Sequence, residues 1–161
     1  MSETPEWLDE TQEAAWAGMR AVLFRAFPEM ERTLKAHGLL AVHYHIFVSL
    51  SSAPDRTLRL SDLADAADMS QSRLTHRMRS LVKRGEVAIT EDPDDGRAKN
   101  ATLTDLGQSR LDELAPLHIA DVRRLLFDPL TDEQTAALAD AVTTIADHLC
   151  EHPEFLNPQS G

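Results

Sequence analysis

With 161 residues, 42% hydrophobic and 27% charged, and only 6 Gly and 8 Pro, the chain is expected to form one compact unit or one domain with helical extensions, which excludes disordered and fibrous classes. No apolar run approaches the ~20 residues of a spanning helix, the opening MSETPEWLDE carries acids where a secretory leader carries bases, and the single Cys150 allows no internal disulfide or paired-cysteine metal motif, so a cytoplasmic protein with no membrane partner is expected. The formal net charge of −11 excludes a protein that coats nucleic acid with its whole surface, because phosphate affinity comes from Lys and Arg.

Residues 7–36 place Trp16, Met19, Leu23, Phe27, Met30 and Leu34 at steps of three and four, the stripe of a long amphipathic helix with Pro28 at a kink or break and Gly38 as its stop. Residues 42–53 read as a second, more buried helix, with strand as a competitor because of their β-branched and aromatic content. After a turn at Pro54 and Asp55, Thr57 to Leu60 suits a short strand, and Ser61 can cap a short helix carrying Leu63, Ala64 and Ala67. Ser70 caps another, in which Leu74, Met78 and Leu81 form one apolar face and Gly85 supplies the left-handed stop. Glu86 to Glu91 alternates as a strand, DPDDGR holds an Asp-Gly turn pair, and Lys99 to Leu103 returns as a second strand. A helix follows from Thr104 through Leu111, Leu114 and Leu117 toward Leu125 and Leu126, kinked or broken at Pro116. Thr131 and Gln134 form a capping-box pair ahead of Leu138, Val142, Ile145 and Leu149.

This order predicts a mainly α protein with a small β-hairpin wing, a winged helix-turn-helix embedded between long dimerisation helices. The expected division is residues 1–55 for N-terminal helices, 56–104 for the winged lobe and 105–161 for C-terminal helices. Charge follows the same division. Residues 1–55 sum to −4, 56–99 to +1 and 100–161 to −8, and seven of the sixteen basic residues fall between Arg73 and Lys99. Alone, the basic run could be a solvated helix face. Its context points elsewhere: Ala64 is small enough for two helices to cross, Asp68 can take the left-handed turn, Met69 is apolar, Ser70 is a cap and Leu74 an anchor. With Leu74, Met78 and Leu81 inward, helical geometry puts Ser72, Arg73, His76, Arg79 and Lys83 outward. Ser70, Gln71, Ser72 and His76 would then meet base edges in a major groove, and Arg79, Lys83 and Arg84 phosphates.

The run LSDLADAADMSQSRLTHRMRSLVKRGEV, followed by DPDDGRAKNATLT, resembles the winged helix-turn-helix core of the multiple antibiotic resistance regulator (MarR) family. The pattern Asp95-x-Arg97 and then Leu103-Thr104 is its most specific part, and WLDETQEAAW, HYHIF and PLTDEQTAAL extend the likeness over nearly the whole chain. The resemblance implies a homodimeric regulator, usually a repressor, that binds a pseudo-palindromic operator in double-stranded DNA. Arg97 would be the wing residue inserted into a minor groove, whose negative potential suits a guanidinium, and Asp95 the acid that braces it. The local alternative for DPDDGR is an ordinary acidic turn.

The resemblance also implies release by a small, often aromatic or phenolic, effector where the dimer helices meet the winged lobe. Trp16, Arg20, His43, Tyr44 and Phe47 belong to the helices expected to line such a pocket, though aromatics at helical spacing are more often core. A zinc-responsive reading would draw on His37, His43, His45 and His118, but residues two apart point to different faces, so His43 and His45 do not readily share an ion. A redox-responsive reading is a further alternative, disfavoured because the resemblance implies a sensing cysteine near the first helix whereas Cys150 lies at the end of the last, where a small apolar filler is expected. No phosphate loop, nucleophile elbow or H-E-x-x-H supports an enzyme, and no cofactor or metal site is predicted. A winged module that binds a protein partner instead of DNA is the remaining alternative, disfavoured by the basic outward face and Arg97.

Overall fold

The structure is a computed structural model that describes residues 7–67, 69–93 and 95–152. Asp68, the expected turn residue, and Asp94 lie outside the described residues. The chain divides into two compact units, one ending at Asp121 and the other beginning at Val122. The first holds α1 (Glu10–Ala21), a π-helical segment (Val22–Ala26), α2 (Phe27–Ala36), α3 (Ala41–Ser51), β1 (Thr57–Arg59), α4 (Leu60–Ala66), α5 (Gln71–Lys83), β2 (Val87–Glu91), β3 (Lys99–Leu103) and nearly all of α6 (Asp105–Val122). The second holds a π-helical segment (Arg123–Phe127) and α7 (Asp132–Glu151). No helix among the described residues is long and apolar enough to cross a membrane.

The expected kink near Pro28 takes the form of the π segment Val22–Ala26, closed by the Phe27 N–H bonding back to the Val22 carbonyl. Pro28 then sits in the first turn of α2, directly after the π segment. Asp9 and Gln12 form a capping box on α1 that the sequence reading passed over. Gly38 (φ 74°) ends α2 as expected: its N–H bonds to the Lys35 carbonyl and the Leu39 N–H to that of Leu34. Residues 41–51 are helix, not the competing strand, and bury His43, Tyr44, Ile46, Phe47 and Leu50.

Two expectations for helix ends need correction. Helix α4 starts at Leu60 with extended Arg59 as its N-cap, so Ser61 is not the cap; its hydroxyl bonds to Asp62 instead. Pro116 breaks nothing: α6 runs through it, and because Asp112 is exposed, water can take the carbonyl that Pro116 leaves without a donor. The capping box of Thr131 and Gln134 forms at α7. Cys150, expected as an apolar filler, is exposed.

The three strands form one antiparallel sheet in the order β1-β3-β2. Val87 faces Leu103 and Ile89 faces Ala101 across β2 and β3, and Thr57 faces Thr102 across β1 and β3 with their hydroxyls 2.8 Å apart. Strand period two then puts Val87, Ala101 and Leu103 into the core with Leu34, Phe47, Leu50, Leu63, Leu74, Leu81, Leu111 and Leu114. Thr104 caps α6: its Oγ accepts from the Gly107 N–H at 3.1 Å and donates to the Gly85 carbonyl at 2.7 Å. One turn on, Gly107 is buried against the Glu86 main chain, and a Cβ there would fall inside the contact distance of the Glu86 carbonyl oxygen and the Leu103 side chain.

Two histidines of the same unit, buried His43 and half-buried His118, face inward. The Nε2 of His43 lies 3.4 Å from the Ser80 hydroxyl on α5, His118 packs on Tyr44 with ring centroids 4.5 Å apart, and the Nδ1 atoms of both are buried without a partner among the described residues. Burial, first, holds the His43 pKa below the ordinary 6.5, aided by the Arg84 and Arg77 cations and opposed by Glu86. Burial also lowers that of His118, with His45 adding to the effect and Asp121 opposing it.

Gly107→Ala sets a helix-propensity gain of about 1 kcal/mol against overpacking on rigid main chain that costs about 3 kcal/mol; a net loss of about 2 kcal/mol is expected from urea unfolding, and an unchanged midpoint would contradict the close crossing. Because the folded pKa values of His43 and His118 are depressed, the unfolded chain binds more protons below pH 6.5. Their stabilising contribution is therefore full above that pH and is lost as pH falls through the folded pKa. The drop in urea midpoint between about pH 7.5 and about pH 5.5 should be smaller for His43→Gln than for the parent, and equal drops would remove His43 from the acid response.

Candidate nucleic-acid interface

Helix α5 carries two faces because its apolar residues repeat at i, i+4 and i+7. Leu74, Met78 and Leu81 are buried, whereas Gln71, Ser72, Arg73, Thr75, His76, Arg79 and Lys83 are exposed. Ser70 is its N-cap, with Oγ 3.5 Å from the Arg73 N–H and 3.2 Å from the Ser72 hydroxyl, and no acid occupies the first turn. The positive end of the helix dipole is therefore not offset by an acid within the first turn of α5 itself. Arg73, Arg77, Arg79 and Lys83 make no ion pair among the described residues, so their charges are available to a partner.

Arg77 was absent from the outward set read from the sequence, yet it is exposed and lines a cleft of about 400 Å³ with Val42, Met69, Ser72, Arg73 and His76. The signal for it was the acid-free basic run itself. Arg84 behaves differently from the other cations. At the end of α5, its guanidinium meets the buried Glu86 carboxylate at 2.8 Å, and Glu86 precedes the strand to which the sequence assigned it.

The wing joins β2 to β3 through residues 92–98. At its root the Asp92 N–H bonds to the Ala98 carbonyl at 3.0 Å, and at its tip the Ala98 N–H bonds to the Asp95 carbonyl at 2.8 Å. The Asp95 carboxylate accepts from the Arg97 backbone N–H at 3.0 Å, which fixes the main chain at Arg97 and leaves its side chain exposed. Gly96 is not in a left-handed conformation, so the Asp-Gly pair marks the turn without supplying a positive φ. The turn is held instead by Asp92, whose buried side chain accepts from Arg59 Nε at 3.1 Å, Asn100 Nδ2 at 3.2 Å and the Asp95 N–H at 3.2 Å. Neither Arg59 nor Asp92 was a site residue in the sequence reading.

The five residues considered for an effector pocket are not gathered around one cavity. Trp16 and Arg20 are exposed on α1, while His43, Tyr44 and Phe47 are buried in α3, Phe47 completely. Burial raises the Tyr44 pKa above its ordinary value. A second cleft, of about 290 Å³, is lined by His45, Val48, Ser49, Ala66 and Ala67, and none of the five lines either cleft. His43 is buried and His45 exposed, as their spacing of two demands. Among the described residues, no three His, Cys, Asp or Glu side chains are grouped to hold a metal ion.

Residues 37–98, from the end of α2 to the wing, match the model of the MarR family. No curated protein matches the chain by sequence. Among solved structures, AbsC, a MarR family transcriptional regulator from Streptomyces coelicolor, is 33% identical, with 91% of this chain and 99% of AbsC covered and a TM-score of 0.87. Sco3205, a MarR family transcriptional regulator from the same organism solved in complex with DNA, is 33% identical over 92% of this chain and 93% of its own, with a TM-score of 0.86. BpsR of Bordetella bronchiseptica, whose DNA binding is regulated by 6-hydroxynicotinic acid, shares the fold at 20% identity and a TM-score of 0.74, over 89% of this chain and 99% of BpsR. With a third of its residues identical to those of two solved regulators across nine-tenths of its length, and with the same winged helix-turn-helix, the chain belongs to the MarR family of transcriptional regulators, which are not enzymes.

Proposed function

We propose that the protein is a homodimeric, sequence-specific regulator of double-stranded DNA that represses a pseudo-palindromic operator. The observation that carries this reading is the unpaired cationic face of α5, held outward by the burial of Leu74, Met78 and Leu81. Ser70, Gln71, Ser72, Arg73 and His76 enter the major groove, where their side chains read base edges. Arg79 and Lys83 take phosphates, and Arg84 sits beside them while held by Glu86. Arg97 enters the minor groove from the wing, with Asp95 fixing its backbone. The DNA complex of Sco3205, at 33% identity, supports the same partner here.

Residues 56–104 form the DNA-binding lobe, and residues 1–55 and 105–161 supply dimer helices. Two apolar surfaces support the dimer. Trp16, Met19, Leu23 and Phe27 are exposed on one helical run, and Leu138, Val142 and Ile145 are exposed on α7, at 41%, 52% and 48%. Isolated exposed apolar residues need no partner, but rows at helical spacing do. We further propose relief by a small aromatic or phenolic effector, on the analogy of fold with BpsR and its regulation by 6-hydroxynicotinic acid.

Selection of random duplexes by the purified protein, followed by salt titration of the recovered sequence against a scrambled control, tests the reading. An inverted repeat with a steep salt dependence is expected; no enrichment at low salt would overturn it. Arg97→Ala should weaken binding to that repeat by roughly 1–3 kcal/mol with the dimer intact, and unchanged affinity at physiological salt would take the wing out of the interface. Val142→Glu should give a monomer by sedimentation and lose tight binding with it, since tight recognition needs both half-sites. A monomeric variant of full affinity would contradict the dimer's role.

A further inference from the structure

We infer that Asp92 is a positioning residue for DNA recognition, joining the wing tip to the helix-turn-helix through Arg59, Asn100 and the Asp95 N–H. The inference rests on the proposed reading of Arg97 as a minor-groove residue. Asp92 is a poor choice for a merely solvated turn acid, because its side chain is only 7% exposed. A carboxylate that buried needs its lone pairs satisfied. Here each oxygen serves a different element. Oδ2 accepts from Arg59 Nε at 3.1 Å and from Asn100 Nδ2 at 3.2 Å, and Oδ1 from the Asp95 N–H at 3.2 Å.

Those three donors mark the joints of the module. Arg59 ends β1 and is the N-cap of α4, the first helix of the helix-turn-helix. Asn100 lies in β3 and is paired in register with Arg59 on one side and Thr90 on the other. Asp95 in turn accepts from the Arg97 N–H at 3.0 Å. A chain of hydrogen bonds therefore runs from the start of α4 through Asp92 and Asp95 to the backbone of Arg97, and its members polarise one another in a part-buried setting. Without Asp92 the strands keep their ladder, but the tip loses its tie to the lobe. The Arg97 guanidinium, at the end of a long flexible side chain, would then start from a mobile backbone, and entry into the groove would carry that ordering cost.

The test is a double-mutant cycle on the selected inverted repeat, carried as a fluorescein-labelled duplex, with thermal unfolding measured in parallel. Asp92→Ala should lower affinity about ten-fold in the parent and by less than about two-fold in the Arg97→Ala background, since both act through one contact. It should also flatten the salt dependence as Arg97→Ala does, a readout that a loss of stability alone leaves unchanged. If Asp92→Ala does not fold, the cycle runs with Asp92→Asn, which keeps an oxygen for the Asp95 N–H but turns a donor toward Arg59 and Asn100; a smaller loss with the same coupling to Arg97 is expected. Equal losses in both backgrounds, or no loss in the parent, overturn the role of Asp92 while leaving the wing in the interface. An Arg97→Ala protein of parental affinity overturns the reading of the wing and this inference with it.

Discussion

The winged module depends on one close crossing of main chains. The turn after α5, the end of the β2–β3 hairpin away from the wing loop, and the first turn of α6 meet where the Thr104 hydroxyl reaches the Gly85 carbonyl and Gly107 lies against the main chain of Glu86. Any larger side chain at 107 would push α6 away, and any loss of the Thr104 hydroxyl would free the helix end and the turn together. The pattern Leu103-Thr104 therefore has a physical meaning: Leu103 fills the core beneath the crossing and Thr104 ties it. Because α5 and the β2–β3 hairpin both issue from this point, their relative placement is fixed by packing and not by the side-chain ends that would touch DNA in the proposed complex.

Electrostatics then separates the cations into two kinds. Arg59 and Arg84 are held by buried carboxylates, Asp92 and Glu86. Arg73, Arg77, Arg79, Lys83 and Arg97 have no such partner among the described residues. The first kind positions the module, and the second is free to exchange its counterions for phosphates. An overall charge of −11 is compatible with this because the acids are concentrated elsewhere, −8 of the total falling in residues 100–161. Long-range repulsion of that size weakens indiscriminate binding, so in the proposed DNA complex recognition would lean on the few unpaired cations and on contacts from Ser70 to His76.

The parts legible in the sequence were those governed by local rules. The 3.6-residue repeat of Leu74, Met78 and Leu81 predicts which way α5 faces, alternation in 86–91, one residue longer than β2 proves to be, and the return at 99–103 predict the hairpin, and Gly38, Gly85 and Thr131 mark helix ends. The misses have a different origin. Asp92 looks like one acid in an acidic turn until Arg59, 33 residues earlier, is folded beside it. Arg84 looks like a phosphate ligand until Glu86 turns inward at the foot of β2. Pro116 reads as a kink or break, and the break does not occur, because the local rule counts the lost hydrogen bond and not the exposed position that lets water replace it. Ser61 yields the cap position to Arg59 because the pairing of β1 with β3 keeps Arg59 extended up to the helix start.

The same geometry bears on how a dimer of this protein would be switched. In the dimer we propose, two recognition helices must sit about one turn of DNA apart, ~34 Å, and that spacing is set by the helices outside the winged lobe. A change in those helices can reach α5 through two contacts of different stiffness, the crossing of α6 at Gly107 and the contact of His43 in α3 with Ser80 in α5. The crossing is backbone against backbone and has almost no slack, so a rotation of α6 would carry the Glu86 main chain with it. The His43 contact is long, at 3.4 Å, and its ring keeps an unpartnered buried nitrogen, so it can yield at little cost. In the proposed dimer, a stiff joint beside a soft one would favour a pivot of the lobe as a unit over local unfolding. In a dimer, a small pivot at each protomer is enough to take the two helices out of register with successive major grooves.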